Sequence, residues 1–296
     1  WEQHSAARPW LYQTPRQILT KASNGASDFG NKFGQPLICG SVLTFEHEGK
    51  ADEPTYGFDK VIMLAGGVGY ARRGDAQKGT PEPGEEVVLL GGDNYRIGMG
   101  GGAVSSVNTG QYAGAIELNA VQRSNPEMQK RVENVIRTLS ESEDNPIISI
   151  HDHGAGGHLN CLSELVETTG GHFDLSAFPI GDETLSSKEI IGNESQERMG
   201  LLVKGDAVER IARIAERERA PMYVVGRTTD DMHLTFEEAG GDKPIDLALS
   251  DMFGSVPKTY MVDKHIDKTY PALSYDAARV EHYLDEVLQQ EGVACK

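Results

Sequence analysis

The stretch IISIHDHGAGGHLNCLSELV, residues 147–166, decides the fold. Ile147, Ile148 and Ile150 give a short buried-strand signal, and Leu159, Leu162 and Val166 recur at helical spacing after it. Between them lie His151, Asp152, His153 and the small residues Gly154, Ala155, Gly156 and Gly157. A glycine loop leading from the carboxyl end of a strand into a helix offers backbone N–H groups and a positive helix terminus to a phosphate. Gly154, Gly156 and Gly157 are therefore candidates for a phosphate loop, and Asp152 beside them is a candidate Mg²⁺ ligand. The alternative for the same residues is a plain turn whose aspartate caps the helix. A zinc site on His151 and His153 is disfavoured, on the expectation that the two rings point to opposite faces of the strand.

Outward from this unit, DNYRIGMGGGAVSS (93–106) follows a strand at Val87–Leu90, and Asn125-Pro126 starts a helix with Met128, Val132, Val135, Ile136 and Leu139 on one face. The pattern Gly98-x-Gly100-x-x-Ala103 superficially matches a dinucleotide fingerprint. Seven residues, Gly91 to Ile97, separate it from the strand, so a Rossmann site is disfavoured. Further on, NESQER (193–198) interrupts two apolar segments and is expected at the lip of a sheet. Asp206 is expected to cap a helix with Val208, Ile211, Ala212 and Ala215 inward, and MYVVG (222–226) and MHLTF (232–236) read as a hairpin-like pair. The resulting order of strands and helices predicts an α/β domain over residues 84–240.

The flanks are less regular. Thr14-Pro15 predicts a helix ending near Asn24-Gly25, followed by a polar loop (25–34), a strand from Leu37 to Phe45 and another at 61–66. These elements are too few to close a core, so residues 1–78 read as part of an N-terminal subdomain, joined through the linker-like KGTPEPGEE (78–86). Residues 241–296 read as irregular chain and a terminal helix with Val280, Tyr283, Leu284, Val287 and Leu288 on one face.

Composition narrows the function. Glycine, at 34 of 296 residues, exceeds the usual share of about 7% and points to tight turns near ligands. A net charge of −17 opposes nucleic acid and anionic membrane as partners. Three scattered cysteines, Cys39, Cys161 and Cys295, suggest neither a disulfide framework nor a metal pattern. With no bilayer-spanning run or signal peptide read in the sequence, a reduced cytoplasmic protein is the expectation. The chain begins with Trp1 and is expected to be an internal piece of a longer one.

Taken together, FGNKFGQP (29–36), IMLAGGVG (62–69), IGMGGGAVSS (97–106), VQRSNPEMQKR (121–131), HDHGAGG (151–157), NESQER (193–198) and RERAP (217–221) resemble the phosphoribosylformylglycinamidine synthase family in its large single-chain form. The resemblance implies an aminoimidazole ribonucleotide synthetase-like α/β (α+β) fold, with an incomplete N-terminal subdomain at 1–78 and a complete C-terminal one at 84–240. It implies the conversion of formylglycinamide ribonucleotide to formylglycinamidine ribonucleotide, with ATP activating the amide oxygen, Mg²⁺ assisting, and glutamine supplying ammonia through a glutaminase domain. By matching motif, Asp152 would hold Mg²⁺, and Gln122, Glu194, Ser195 and Gln196 would contact the ribonucleotide. The synthetase of this family has a catalytic and an auxiliary nucleotide site, and the residues do not say which of the two they line. A piece of such a ligase is expected to be inactive alone. The rivals are another ATP-dependent synthetase of the same superfamily and a non-catalytic scaffold.

Overall fold

The computed structural model describes residues 13–47, 52–58, 61–108, 111–120, 125–262, 265, 267, 269–290 and 293. In chain order the elements are α1 (Pro15–Phe33), β1 (Glu46–His47), β2 (Tyr56–Gly57), β3 (Glu86–Leu90), α2 (Gly101–Ser105), α3 (Gly114–Asn119), α4 (Pro126–Ser140), β4 (Ile147–His153), α5 (Gly157–Leu165), β5 (Gly171–Asp174), α6 (Ser187–Ile191), β6 (Ser195–Val203), α7 (Val208–Glu218), β7 (Met222–Thr228), β8 (His233–Glu237), β9 (Ile245–Ala248), α8 (Leu249–Phe253) and α9 (Val280–Leu288). One compact unit comprises residues 26–37 and 62–254, and a second comprises 1–25, 38–61 and 255–296.

The larger unit is built on a seven-stranded sheet in the order β4-β6-β3-β7-β5-β8-β9. All its pairings are antiparallel except β5 with β8. Strand β3 runs through the middle as a continuous apolar run because both of its faces are covered. Val87 and Leu89 pack with Leu162 and Leu165 of α5 and Ile190 and Ile191 of α6, while Val88 and Leu90 pack with Val132, Val135 and Leu139 of α4 and Ile211 and Ala215 of α7. Side chains that alternate across a pleated strand give period-two burial when one face is wet and unbroken burial when both are dry. Helix α4 starts as expected, with the Asn125 side chain accepting from Met128 N at 3.1 Å.

Several local expectations are corrected. Helix α1 does not stop at Gly25 but runs to Phe33. The Phe29 and Phe33 rings stack at 4.4 Å one turn apart, Asp28 pairs with Lys32 on the next row, and the left-handed stop falls at Gly34, φ 69°. The strands expected at 37–45 and 61–66 are absent. Ile38, Ile62 and Leu64 are each at least 80% exposed, and an apolar run with no neighbouring strand to pair with has no reason to extend. The segment read as the linker lies against the sheet edge, where Gly79 N donates to Ile148 O at 2.7 Å.

The proposed hairpin of β7 and β8 is also not formed. Strand β5 lies between them, antiparallel to β7 and parallel to β8, and its GHFD sequence is too short to carry a periodic signal. Strand β9, equally short, lies in the segment read as irregular. Upstream of NESQER the apolar residues form α6 rather than a strand, because Ser186 and Glu189 make a reciprocal capping box. Asp206 sits in a short 3₁₀ turn and caps nothing in α7, and Ala212 faces solvent while Ile214 turns partly inward.

In the second unit, β1 and β2 form a two-stranded antiparallel pair. On α9, Val280, Leu284, Val287 and Leu288 are all exposed, so the stripe read from the sequence exists and is uncovered among the described residues.

Leu201 and Leu202 are neighbours in β6 that point into opposite cores, both fully buried. Leu201→Ala and Leu202→Ala are each expected to lower stability by about 2–5 kcal/mol in urea unfolding. A near-neutral result for either one contradicts a sheet covered on both faces.

Candidate functional site

Three chain segments meet at one end of the sheet: residues 91–100 leaving β3, residues 154–156 leaving β4, and residues 192–194 entering β6. The strand pairing forces this meeting, since β4 and β3 both lie antiparallel to β6, so their carboxyl ends adjoin its amino end.

The foundation is a buried guanidinium. Arg198, at 1% exposure, reaches His158 Nε2 through Nη1 and Asn193 Oδ1 through Nη2. A guanidinium only donates, so Nε2 of His158 presents its lone pair and the ring proton is assigned to Nδ1. Asn193 in turn donates from Nδ2 to Tyr95 O at 2.7 Å and Ile97 O at 2.9 Å, tying the loop after β3 to the entrance of β6. Asn94 donates from Nδ2 to Pro179 O at 2.7 Å. Gly157, with φ 58°, lies against the Asn193 backbone, where a Cβ would come within 2.5 Å of the carbonyl oxygen. No larger residue fits that crossing.

His153 and His158 are fully buried, with ring centroids 4.7 Å apart in an edge-on contact. Burial holds both imidazoles well below their ordinary pKa, and the Arg198 charge pushes the same way. His151 Nε2 meets Glu164 Oε2 of α5 at 2.7 Å, and His153 packs on His158 of the same helix. The two rings of β4 therefore face α5 together, which corrects the expectation of opposite faces. Residues i and i+2 of a strand share a side. Among the described residues, no group of three or more His, Cys, Asp or Glu is placed to hold a metal ion. Burial likewise raises the Cys161 thiol far above its ordinary pKa, so it belongs to the core and not to the chemistry.

The candidate ligand-facing residues separate by exposure. Asp152 is exposed at the end of β4, with Oδ1 accepting from Gly154 N at 2.7 Å. Gln196 is exposed on β6, whereas Glu194, Ser195, Glu197 and Arg198 are buried. The expectation that NESQER stands at an open lip is thus corrected for all but Gln196 and the carboxamide-bearing turn before it is interior scaffold. Gln122 and Arg123 lie outside the described residues. The phosphate-loop reading of Gly154, Gly156 and Gly157 meets a specific obstacle. Their amides already donate to Asp152 Oδ1, to Glu194 Oε1 at 3.0 Å and to Gly154 O at 3.0 Å. As folded, none of the three is available to a phosphate. The antiparallel setting of β3 likewise removes the parallel βαβ frame that a dinucleotide fingerprint at Gly98 requires.

Sequence reading missed Asn94, His158 and the central role of Arg198. Their only signal is a polar residue inside an otherwise apolar stretch, which surface residues show as well.

A mainly antiparallel sheet with helices on both faces gathers glycine loops and a carboxylate at one end, the architecture of an α/β domain. The chain belongs to the AIR synthase related proteins, whose C-terminal domain model matches residues 82–238. Among curated proteins it is 41% identical over 271 residues to the probable phosphoribosylformylglycinamidine synthase, chloroplastic/mitochondrial, of Arabidopsis thaliana, covering 87% of this chain and 19% of that protein. It is 36% identical over 315 residues to the Homo sapiens phosphoribosylformylglycinamidine synthase, covering 100% of this chain and 24% of that protein. The chain thus spans 19% to 24% of the length of these curated relatives. Among solved structures, Thermotoga maritima PurL complexed with FGAR superposes with a TM-score of 0.65 at 21% identity, over 90% of this chain and 43% of that one. Phosphoribosylformylglycinamidine synthase II of the same organism gives 0.60 at 20% identity, over 86% and 38%. These likenesses establish the AIR synthase-like fold.

The buried histidines make stability pH-dependent. Their folded-state pKa lies below the unfolded value near 6.5, so the unfolded chain binds more protons as pH falls. Stability is complete above about pH 7 and is lost below about pH 6.5, at up to about 1.4 kcal/mol per pH unit for each histidine. Urea midpoints between pH 7.5 and 5.5 measure this slope, and His153→Phe is expected to halve it. An unchanged slope shows that His153 is not a buried neutral ring.

Proposed function

We propose that this chain forms part of the substrate-binding wall of a phosphoribosylformylglycinamidine synthase, an ATP-dependent carbon–nitrogen ligase of purine biosynthesis. The reaction converts formylglycinamide ribonucleotide to formylglycinamidine ribonucleotide, with glutamine as amido donor. The observation that carries this reading is the 36% to 41% identity, over 87% to 100% of the chain, to proteins of that name. The like-folded Thermotoga maritima PurL, complexed with FGAR in one structure and with ATP in another, supports the same substrates. The rest of a longer chain, including a glutaminase domain, is the partner, and this stretch alone does not complete the reaction.

Asp152 suits Mg²⁺ because the ion takes one or two carboxylates and fills its remaining positions with water and phosphate oxygens. When bound, Mg²⁺ neutralises charge developing on a transferred phosphoryl group. Gly154 N, bonded to Oδ1, fixes the direction in which the carboxylate is offered. Gln196 presents a carboxamide able both to donate to and accept from the formylglycinamide group. Ser195, beside it, has a buried hydroxyl with no hydrogen-bond partner among the described residues, and it lies opposite His153 in the ladder. Gln122 is assigned to the ribonucleotide by its motif. The phosphate reading of the 154–157 loop stands only if the ligand displaces the loop's internal bonds.

Among the described residues no helix is long and apolar enough to cross a membrane. A net charge of −17 opposes nucleic acid as a partner, and a cytoplasmic setting fits the reading.

Calorimetric titration of formylglycinamide ribonucleotide with Mg²⁺ into the chain tests the assignment. Asp152→Asn and Gln196→Ala are each expected to weaken binding by about 1–3 kcal/mol, roughly five- to hundredfold. Wild-type affinity in both variants removes these residues from the site.

A further inference from the structure

We propose that residues 72–79 form a latch, closed at two cationic feet, that fixes the bulge in edge strand β4 and so sets the course of the strand carrying Asp152. The two feet hold one another, and loss of either opens the whole segment.

Strand β4 ends the seven-stranded sheet, so its outer side pairs with no strand of that sheet. Its register with β6 runs from Ile147 opposite Val203 to Ser149 opposite Leu202, which leaves Ile148 as an extra residue. A bulged residue at an edge has a carbonyl that the ladder does not satisfy. Here Gly79 N donates to Ile148 O at 2.7 Å. A Cβ on Gly79 would stand 2.8 Å from that oxygen and 3.0 Å from Ile148 Cγ2, so glycine is what lets the segment come this close.

The first foot is Arg72, whose Nη2 donates to Ser140 O in the last turn of α4 and to Ser142 O at 2.8 Å. Asp75 braces it, meeting Arg72 Nε through Oδ2 at 3.0 Å and accepting from Asn145 Nδ2 through Oδ1 at 3.0 Å. The second foot is Lys78, whose Nζ donates to Glu164 O in the last turn of α5 at 2.8 Å and to Glu167 Oε1 at 2.9 Å. The last carbonyls of a helix have no partner within it and carry its negative end, so a cation from elsewhere in the chain suits them. Helices α4 and α5 belong to the cores on opposite faces of the sheet, and the segment crosses the β4 edge from one to the other.

Every residue from 72 to 79 is exposed, so polar contacts and not apolar burial hold the segment down. Exposed ion pairs taken singly are weak. Joined by a short stretch of chain, each foot returns the other to its helix at high effective concentration, and the two close together. Opening leaves the Ile148 carbonyl without its donor and the bulge without its brace.

The test uses the whole 296-residue chain as wild type, Arg72→Gln, Lys78→Gln and Lys78→Arg. Amide hydrogen exchange is read at Gly79 and along β4, with the amides of β3 and β7 as the control for folding. Arg72→Gln is expected to speed exchange at Gly79 by about tenfold or more, although Arg72 makes no bond to that residue, and to speed β4 while β3 and β7 stay protected. Lys78→Gln is expected to do the same, and Lys78→Arg, which keeps the charge and the donors, to exchange as wild type. Unchanged exchange at Gly79 in Arg72→Gln shows feet that act separately and overturns the latch. Faster exchange at Gly79 with β4 unchanged overturns its hold on the strand. Lys78→Arg behaving as Lys78→Gln overturns the part given to the cation. Loss of protection in β3 and β7 as well makes the effect global and overturns the proposal too.

Discussion

A guanidinium removed from water must find acceptors around it, and Arg198 is among the largest fully buried side chains of this protein. That requirement organises the end of the sheet. His158 must be neutral to face it, and Asn193 must turn its oxygen toward it. Once Asn193 is so turned, its amide group is directed at Tyr95 O and Ile97 O, and the loop after β3 is fixed. The positions of the loop after β3 and of the turn entering β6 thus follow from the pairing of one buried charge. Stability is concentrated there too, because removing any partner leaves an uncompensated polar group in the interior.

The sheet provides the frame in which this network can be buried. Strand β3, apolar on both faces, sits between β6 and β7, with α5 and α6 on one side and α4 and α7 on the other. With both cores closed, only the strand ends remain for polar chemistry. The meeting of the carboxyl ends of β3 and β4 with the amino end of β6 makes one of those ends a convergence of loops. At that convergence Asp152 and Gln196 are exposed, and their neighbours in sequence include buried polar scaffold. Candidate binding residues and candidate supporting residues therefore alternate along the same short motifs, and a motif match alone does not separate them.

The second unit behaves differently. Its paired strands are two residues each, and α9 carries an apolar stripe with nothing covering it among the described residues. Chain of this composition folds stably when further strands or helices bury it. Its apolar segments keep the appearance of core sequence while lying exposed. That explains why the strand read at 37–45, all but its first residue in this unit, is not formed.

Residues local to one another determined a good part of this protein by themselves. The strands β3 and β4, the helices α4 and α5, the Asn125-Pro126 start and the carboxyl-end glycine loop were all legible, because capping, periodicity and turn chemistry act within a few residues. So was the family, carried by several motifs in order. Tertiary structure alone decided the rest. The insertion of β5 between β7 and β8 depends on which edges are free, a property of the assembled sheet that neither strand encodes. The shared direction of His151 and His153 follows from strand geometry, but their meeting with α5 follows from packing. The burial of Glu194 and Arg198, set beside an exposed Gln196, depends on covering α2 and α5 supplied from up to 92 residues away. A charged side chain looks the same in sequence whether it faces water or a buried amide, and only the fold determines which of the two it meets.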